Sequence, residues 1–198
     1  MKKLLLSLFL VAFIAIATNA QVSFGIKAGL NIATISGSDA SANFPDKTSR
    51  TGLNVGAQVK IPVSSNFFVQ PELVYSMQGL KESGDVLMLD YLNIPVLAAY
   101  QFAGSGFSLG TGPQIGFLTT GKVKSQGTTT DIKDLLQKTD FAWIFNAAYV
   151  TAINLGFNAR YNLGLSTIDK GTGGTKDKLT NSVFQIGAFW NFSPKKGK

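Results

Sequence analysis

The sequence predicts an all-β fold, an eight-stranded antiparallel up-and-down transmembrane β-barrel of the outer-membrane type. Three observations predict it. Eight segments alternate apolar and polar residues with a period of two, which is typical of strands. Long and short connections alternate between these segments, as they do in an up-and-down arrangement. The polar faces are rich in glycine and amide residues and poor in charge, which suits a narrow interior.

The N-terminal segment is typical of a secretory signal peptide. A basic head, MKK, precedes the apolar run LLLSLFLVAFIAIA, and the small residues of TNA precede Gln21. The run is short for a membrane-spanning helix, which needs about 20 apolar residues. We therefore predict a cleaved signal peptide over residues 1–20, a barrel over 21–192 and a short basic C-terminal tail over 193–198.

The alternation is clearest in the first two predicted strands. In VSFGIKAGLNI the apolar residues take the even positions from Val22 to Ile32, and in TGLNVGAQVKI they take the odd positions from Leu53 to Ile61. The same pattern recurs along the chain. The predicted strands are 22–32, 51–61, 66–78, 89–102, 106–118, 139–150, 153–165 and 180–192.

The connections between these strands alternate in length. Short turns lie near residues 63–65, 103–105 and 151–152. Long polar loops cover residues 33–50, 79–88, 119–138 and 166–179. Because consecutive strands are antiparallel, all four long loops are expected at one end of the barrel. The third loop contains DIKDLLQK, which predicts one or two helical turns.

Alternation alone leaves two orientations open, a soluble barrel with an apolar lumen or a membrane barrel with its apolar face on lipid. A soluble exterior is expected to be about a quarter to a third charged. The polar faces here carry few charges, mainly Lys27, Lys60, Glu72, Asp140 and Arg160. An eight-stranded interior is just wide enough for side chains to fill it, which suits glycine better than bulky aromatic residues. We therefore predict that the Gly- and Asn-rich face points inward and the apolar face contacts lipid.

Aromatic residues on the apolar faces are expected to form two belts, one at each membrane interface. The belt near the long loops would contain Tyr75, Phe117, Phe141, Trp143 and Tyr161. The belt near the short turns would contain Phe24, Phe67, Tyr100, Phe102, Phe107, Tyr149, Trp190 and Phe192.

Three prolines interrupt the predicted strands. Pro71 and Pro113 share the outward parity of their strands, and Pro95 has the inward parity. Proline cannot donate a ladder hydrogen bond, and a closed barrel has no edge strand to accommodate it. We expect bulges or local breaks at these positions.

The inward charges predict an ion-pair network inside the barrel. Lys27, Glu72 and Arg160 lie at similar distances from the short-turn end and are expected to meet at mid-height. Buried charges need partners. We therefore predict a structural lumen charge network of Lys27, Lys60, Glu72 and Arg160 that fills the barrel. A narrow ion pore is the alternative interpretation.

The composition argues against catalysis. The chain has no His and no Cys, so it lacks the usual near-neutral general base and the thiol nucleophile. Its acidic residues show no calcium-loop spacing, and no helix-opening pattern follows the glycines of SGSD and GTGG. We predict no catalytic residues, no cofactor-binding residues, no metal site and no enzyme activity.

Short stretches along the whole chain after residue 20 resemble one known family. They are FGIKAGLN, FFVQPELVYSMQG, LDYLNIPVLAAYQF, GTGPQIGFL, ARYNLGLSTI and FQIGAFWNF. These stretches resemble the outer membrane β-barrel domain family of Bacteroidetes, which includes PorT-like proteins. The resemblance implies a location in the cell outer membrane, and some PorT-like members are linked to protein secretion across it. Phe192 resembles the C-terminal aromatic signal for barrel insertion, although SPKKGK follows it.

The sequence therefore predicts a non-enzymatic integral outer-membrane protein with a side-chain-filled lumen and four long surface loops. Its expected partners are outer-membrane lipids and an unidentified protein or ligand at the loops. Nucleic acid is not an expected partner, because the basic residues do not cluster on one face. The expected role is structural or a surface interaction. A narrow small-solute or ion channel, or an accessory factor in outer-membrane protein secretion, is the alternative.

Overall fold

A computed structural model describes residues 22–171 and 176–192, so the predicted signal peptide and basic tail lie outside the described residues. The described chain contains a short helix α1 (Ala40–Asn43) and a 3-10 turn (Lys133–Leu135). Its strands are β1 (Ser23–Ser36), β2 (Lys47–Pro62), β3 (Phe67–Glu82), β4 (Asp85–Gln101), β5 (Phe107–Ser125), β6 (Thr128–Asp131), β7 (Thr139–Val150), β8 (Leu155–Gly164) and β9 (Thr180–Phe192). No helix in this part of the chain is long and apolar enough to cross a membrane.

Eight of these strands close into a ring. They pair antiparallel in the order β1-β2-β3-β4-β5-β7-β8-β9, and β9 pairs back with β1. The short strand β6 lies outside the ring and pairs with the far end of β5. The predicted eight-stranded antiparallel up-and-down barrel is confirmed. Closure leaves no free strand edge in the ring, so each barrel strand has a hydrogen-bonded neighbour on both sides.

The second long loop of the prediction is wrong, because strands occupy most of it. β3 continues to Glu82 and β4 starts at Asp85, so only Ser83 and Gly84 connect them. Both have positive φ, 47° and 92°, as a type I′ hairpin turn requires. The polar sequence of residues 79–88 resembles a loop because this hairpin extends beyond the apolar, lipid-facing zone.

The outer face of the ring is apolar, as predicted. Every aromatic residue of the two predicted belts is exposed, from 37% for Tyr100 to 61% for Phe24. At the short-turn end, the rings of Phe67, Tyr100, Phe102 and Phe107 form a continuous row with centroids 4.9, 5.2 and 5.6 Å apart. An exposed apolar surface that surrounds a closed barrel is the surface that lipid covers.

The strand ladder has gaps at the prolines and keeps its register there. Pairing between β3 and β4 lapses just after Pro71, and pairing between β4 and β5 lapses just after Pro95, opposite Pro113. The prolines therefore mark local breaks and not bulges. The register shifts lie elsewhere, beside Arg50 on β2 and at Asp90 on β4.

A charge placed on the lipid-facing surface tests this orientation. Ile186 is 46% exposed and lies in the middle of β9. We expect Ile186→Arg to lower the free energy of unfolding in phospholipid vesicles by about 2–4 kcal/mol, the cost of a basic residue near the bilayer midplane. Denaturant titration of the refolded protein measures it.

The matched control is Val63→Arg in a short turn, where Val63 is 56% exposed and lies outside the strands. We expect a much smaller effect there, because the cost of an arginine falls toward the interface. Equal effects at the two positions would contradict a lipid-facing β9.

Candidate functional site: the lumen charge cluster and the apolar cap

Polar side chains fill the central part of the barrel interior. Every barrel strand contributes at least one, because the alternation along each strand directs the polar set inward. In ring order these residues are Lys27, Gln58, Glu72, Asn93, Gln114, Asn146, Arg160 and Gln185.

Three charged residues meet at the centre of this layer, and we call Lys27, Glu72 and Arg160 the lumen charge cluster. Glu72 is on β3 and Arg160 is on β8, which lies opposite β3 in the eight-stranded ring. Their salt bridge, with Arg160 Nη2 2.7 Å from Glu72 Oε1, therefore crosses the full width of the lumen. Lys27 approaches from β1, with its Nζ 2.9 Å from Glu72 Oε2.

The Glu72 carboxylate accepts four hydrogen bonds. Its Oε2 accepts from Lys27 Nζ at 2.9 Å and from Arg160 Nη1 at 2.8 Å. Its Oε1 accepts from Arg160 Nη2 at 2.7 Å and from Gln70 Nε2 at 2.8 Å. Arg160 also donates from Nε to Asn146 Oδ1 at 3.1 Å. The charged side chains are at most 4% exposed, so this pairing offsets a large desolvation cost.

An aromatic ring occupies the lumen on the short-turn side of the cluster. Phe189 is 8% exposed and has inward parity on β9. Its ring packs against Gly156 on β8, where an added Cβ would overlap the ring atoms. Glycine at this position therefore makes room for the ring, as expected for a small residue on the inward face.

Lys60 does not join the other three predicted charges. Its Nζ donates to Gln101 Oε1 at 2.7 Å and lies 4.2 Å from the centroid of the Phe68 ring. Lys60 is near the end of β2, at the short-turn mouth of the barrel. The sequence analysis grouped Lys60 with the other three charges because alternation predicts only whether a side chain points inward or outward. It does not predict how far along the barrel axis the residue lies.

A second polar group lies further from the short turns and contains no charge. Asn31 Nδ2 donates to Ser76 Oγ at 2.9 Å. Asn31 Oδ1 accepts from Asn54 Nδ2 at 2.7 Å and from Gln185 Nε2 at 2.9 Å. Asn31 is fully buried, and these bonds join strands on both sides of β1.

The sequence analysis missed a second ion pair near the long loops. Arg50 Nη1 lies 3.4 Å from Asp90 Oδ1, and the Tyr75 hydroxyl donates to Asp90 Oδ2 at 3.1 Å. Both charged residues lie at the register shifts of their strands. Strict alternation does not hold across a register shift, so parity counted from the strand centres could not place these side chains.

The sequence analysis also missed an apolar cluster at the long-loop end, which we call the apolar cap. It consists of Ile35, Ala40, Leu80, Leu87, Leu89, Tyr91, Leu118, Leu136, Ile168 and Leu179. All of its residues are at most 9% exposed. The three long connections and the β3–β4 hairpin all contribute residues, so these segments pack together over the end of the lumen. The signal in the sequence was the apolar residues within polar loops, such as Leu136 of DIKDLLQK.

Hydrogen bonds tie three of these connections to one another. Gln137 N–H donates to the carbonyl of Ile168 at 2.8 Å, which joins the third and fourth connections. Lys178 N–H donates to Asp39 Oδ2 at 2.8 Å, which joins the fourth to the first. One or two helical turns were predicted for DIKDLLQK, and the structure has a single 3-10 turn there. The described part of these connections is therefore an ordered structure.

A closed eight-stranded ring with an apolar exterior and a polar, charge-paired interior defines the class: an integral outer-membrane β-barrel protein. Residues 18–170 match the family described as "Outer membrane protein beta-barrel domain", so the chain belongs to this family and is located in the outer membrane. The finer PorT-like grouping is not part of this match. None of the curated proteins matches the sequence.

Among the solved structures with the same fold are those of two bacterial proteins. One is Ail, the attachment invasion locus protein of Yersinia pestis, solved in complex with the heparin analogue sucrose octasulfate. It is 15% identical, with a TM-score of 0.51 over 87% of this chain and 99% of Ail. The other is Neisserial surface protein A, which is 16% identical, with a TM-score of 0.52 over 86% of this chain and 99% of that protein. At such identities the likeness shows the fold alone.

Removing the central carboxylate tests the lumen charge cluster. We expect Glu72→Ala to lower the free energy of unfolding by about 3–5 kcal/mol, because it leaves two buried cations without a counter-charge. Denaturant titration in phospholipid vesicles measures this loss. Asp46→Ala is the matched control, since Asp46 is exposed, and it is expected to leave stability unchanged. A Glu72→Ala protein as stable as the control would contradict the cluster.

Proposed function

We propose that this protein is a non-enzymatic outer-membrane barrel whose lumen is closed to solutes and whose surface loops bind a partner. One observation carries the proposal, the Arg160–Glu72 salt bridge that crosses the lumen. A solute moving along the barrel axis would have to separate these charges in a low-dielectric interior.

Two further layers support a closed lumen. Phe189 occupies the interior on the short-turn side of the lumen charge cluster, and the apolar cap covers the long-loop end. An ion would therefore meet a ring, a salt bridge and an apolar layer in turn. A narrow channel is the alternative function, and it requires all three to move aside.

The lumen charge cluster is unsuited to catalysis. Each oxygen of Glu72 already accepts two hydrogen bonds, so the carboxylate has no remaining position from which to take a substrate proton. No group of three or more acidic, His or Cys side chains able to hold a metal ion occurs within residues 22–171 and 176–192. These features support the proposal of a non-enzymatic protein.

The loops support a role at the cell surface. The apolar cap and the hydrogen bonds between the connections hold the described loop residues in one arrangement, and a preformed surface loses less entropy on binding. The loops carry lysine and carboxylate side chains in nearly equal numbers. We therefore propose no preference for polyanions of the kind with which Ail was solved.

A role in protein secretion, which the PorT-like resemblance implies, fits this proposal only as an accessory function. A polypeptide would have to displace the Arg160–Glu72 salt bridge to pass through the lumen. A secretion role would therefore depend on the outer surface or the loops, and not on transport through this lumen.

Conductance in planar phospholipid bilayers tests the closed lumen. We expect no single-channel steps from the wild-type protein, and none from the double variant Glu72→Ala/Arg160→Ala, because Phe189 and the apolar cap still close the lumen on either side of the removed salt bridge. Heat-modifiable gel mobility before reconstitution shows that each sample is folded. Reproducible steps from folded wild-type protein would overturn the proposal in favour of the channel.

A further inference from the structure

We propose that the long-loop end of the barrel holds a binding pocket for a small organic cation with an apolar body. A cavity of about 250 Å³ opens there beside the apolar cap. The inference rests on the proposed function, because it assigns a chemical class of ligand to the surface loops.

The walls of this pocket are apolar. Its main lining residues are Leu80, Leu87, Val123, Leu136, Ile168 and Leu179. They come from β3, β4, β5 and the third and fourth long connections, so the pocket exists only when these segments are assembled. An apolar cavity of about 150 Å³ holds benzene. A cavity of this larger volume suits a body the size of naphthalene, which gains binding free energy as apolar surface leaves water.

The rim of the pocket is acidic. Glu82 and Asp85 both line it, and they are cross-strand partners on either side of the Ser83–Gly84 turn. Two carboxylates placed directly opposite each other repel, which costs stability unless a cation lies near them. Neither carboxylate forms an ion pair within residues 22–171 and 176–192, although Lys47 is the cross-strand neighbour of Glu82.

A third carboxylate adds to the negative charge of the pocket. Asp169 lines it and accepts backbone N–H groups from Gly171 at 3.1 Å and from Asp177 at 2.9 Å. No basic residue is among the lining residues in the described part of the chain. The complementary ligand therefore carries a positive charge near the rim and an apolar body below it, whereas a fatty acid would be repelled.

The pocket has a closed floor. Leu89, Tyr91 and Leu118 of the apolar cap are buried beneath the lining residues, and the polar layers of the lumen follow. A molecule that enters from the long-loop end can be bound there but has no path through the barrel. The pocket is therefore a binding site and not the entrance of a transport route.

Three naphthalene derivatives of matched size test the charge preference. They are naphthylmethylamine, naphthylmethanol and naphthoate, which are a cation, a neutral molecule and an anion. The full protein is placed in phosphatidylcholine nanodiscs at low salt, and binding is measured by equilibrium dialysis against empty nanodiscs. We expect the amine to bind about tenfold more tightly than the alcohol, since each partly exposed carboxylate contributes a modest attraction. The anion is expected to bind most weakly.

Two variants separate the charge of the rim from the shape of the pocket. Glu82→Gln/Asp85→Asn is expected to remove the preference for the amine and leave binding of the alcohol unchanged. Asp46→Asn, an exposed carboxylate that does not line the pocket, is its control. Val123→Trp is expected to fill the pocket and abolish binding of all three molecules. Thr129→Trp is its control, because Thr129 is exposed and its side chain projects from the opposite face of β6 to that of Thr130, the cross-strand partner of Val123.

The outcomes distinguish this inference from the proposed function. Equal binding of the three molecules, or binding of the amine that survives both pocket variants, would overturn the inference. Absence of amine binding above the level of empty nanodiscs would overturn it as well. In that case the proposed function would still be supported if the wild-type protein shows no single-channel conductance. Conductance by the wild-type protein would instead count against the closed lumen, whatever the dialysis shows.

Discussion

The carboxylate of Glu72 is the group on which the interior of this barrel depends. It lies on β3 and binds a guanidinium from the opposite side of the ring and an ammonium from β1. All three charges are withdrawn from water, so each is tolerated only because the others are in place. The cluster also fixes which face of three strands points inward, because a slip of one residue would move a charge into lipid.

The inward-facing residues of the strands differ in character between two levels of the barrel axis. At mid-height the inward residues are polar, because amide and charged side chains can satisfy one another in a space too narrow for bulky rings. Toward the long loops the inward residues become apolar, as at Ile35, Leu87 and Leu89. There the strands extend beyond the lipid zone, and the loops fold inward to cover them. The change produces the apolar cap and, at its edge, the acidic-rimmed pocket.

The sequence was sufficient to predict the eight-stranded ring and part of the lumen charge cluster. Period two is set by strand geometry, so the inward placement of Lys27, Glu72 and Arg160 could be predicted from parity alone. The separate position of Lys60 could not, because height depends on strand tilt and stagger in the closed ring. The Arg50–Asp90 pair lies at register shifts that break the parity. The apolar residues of the loops are visible in the sequence, but their assembly into the apolar cap depends on contacts between loops far apart in the chain.

A double-mutant cycle between Glu72 and Arg160 tests the central interaction most directly. The free energies of unfolding of the wild-type protein, Glu72→Gln, Arg160→Gln and the double variant are measured in phospholipid vesicles. The salt bridge across the lumen predicts a coupling free energy of about 2–3 kcal/mol between the two positions. Additive effects, with a coupling below about 0.5 kcal/mol, would contradict an interaction that joins opposite walls of the barrel.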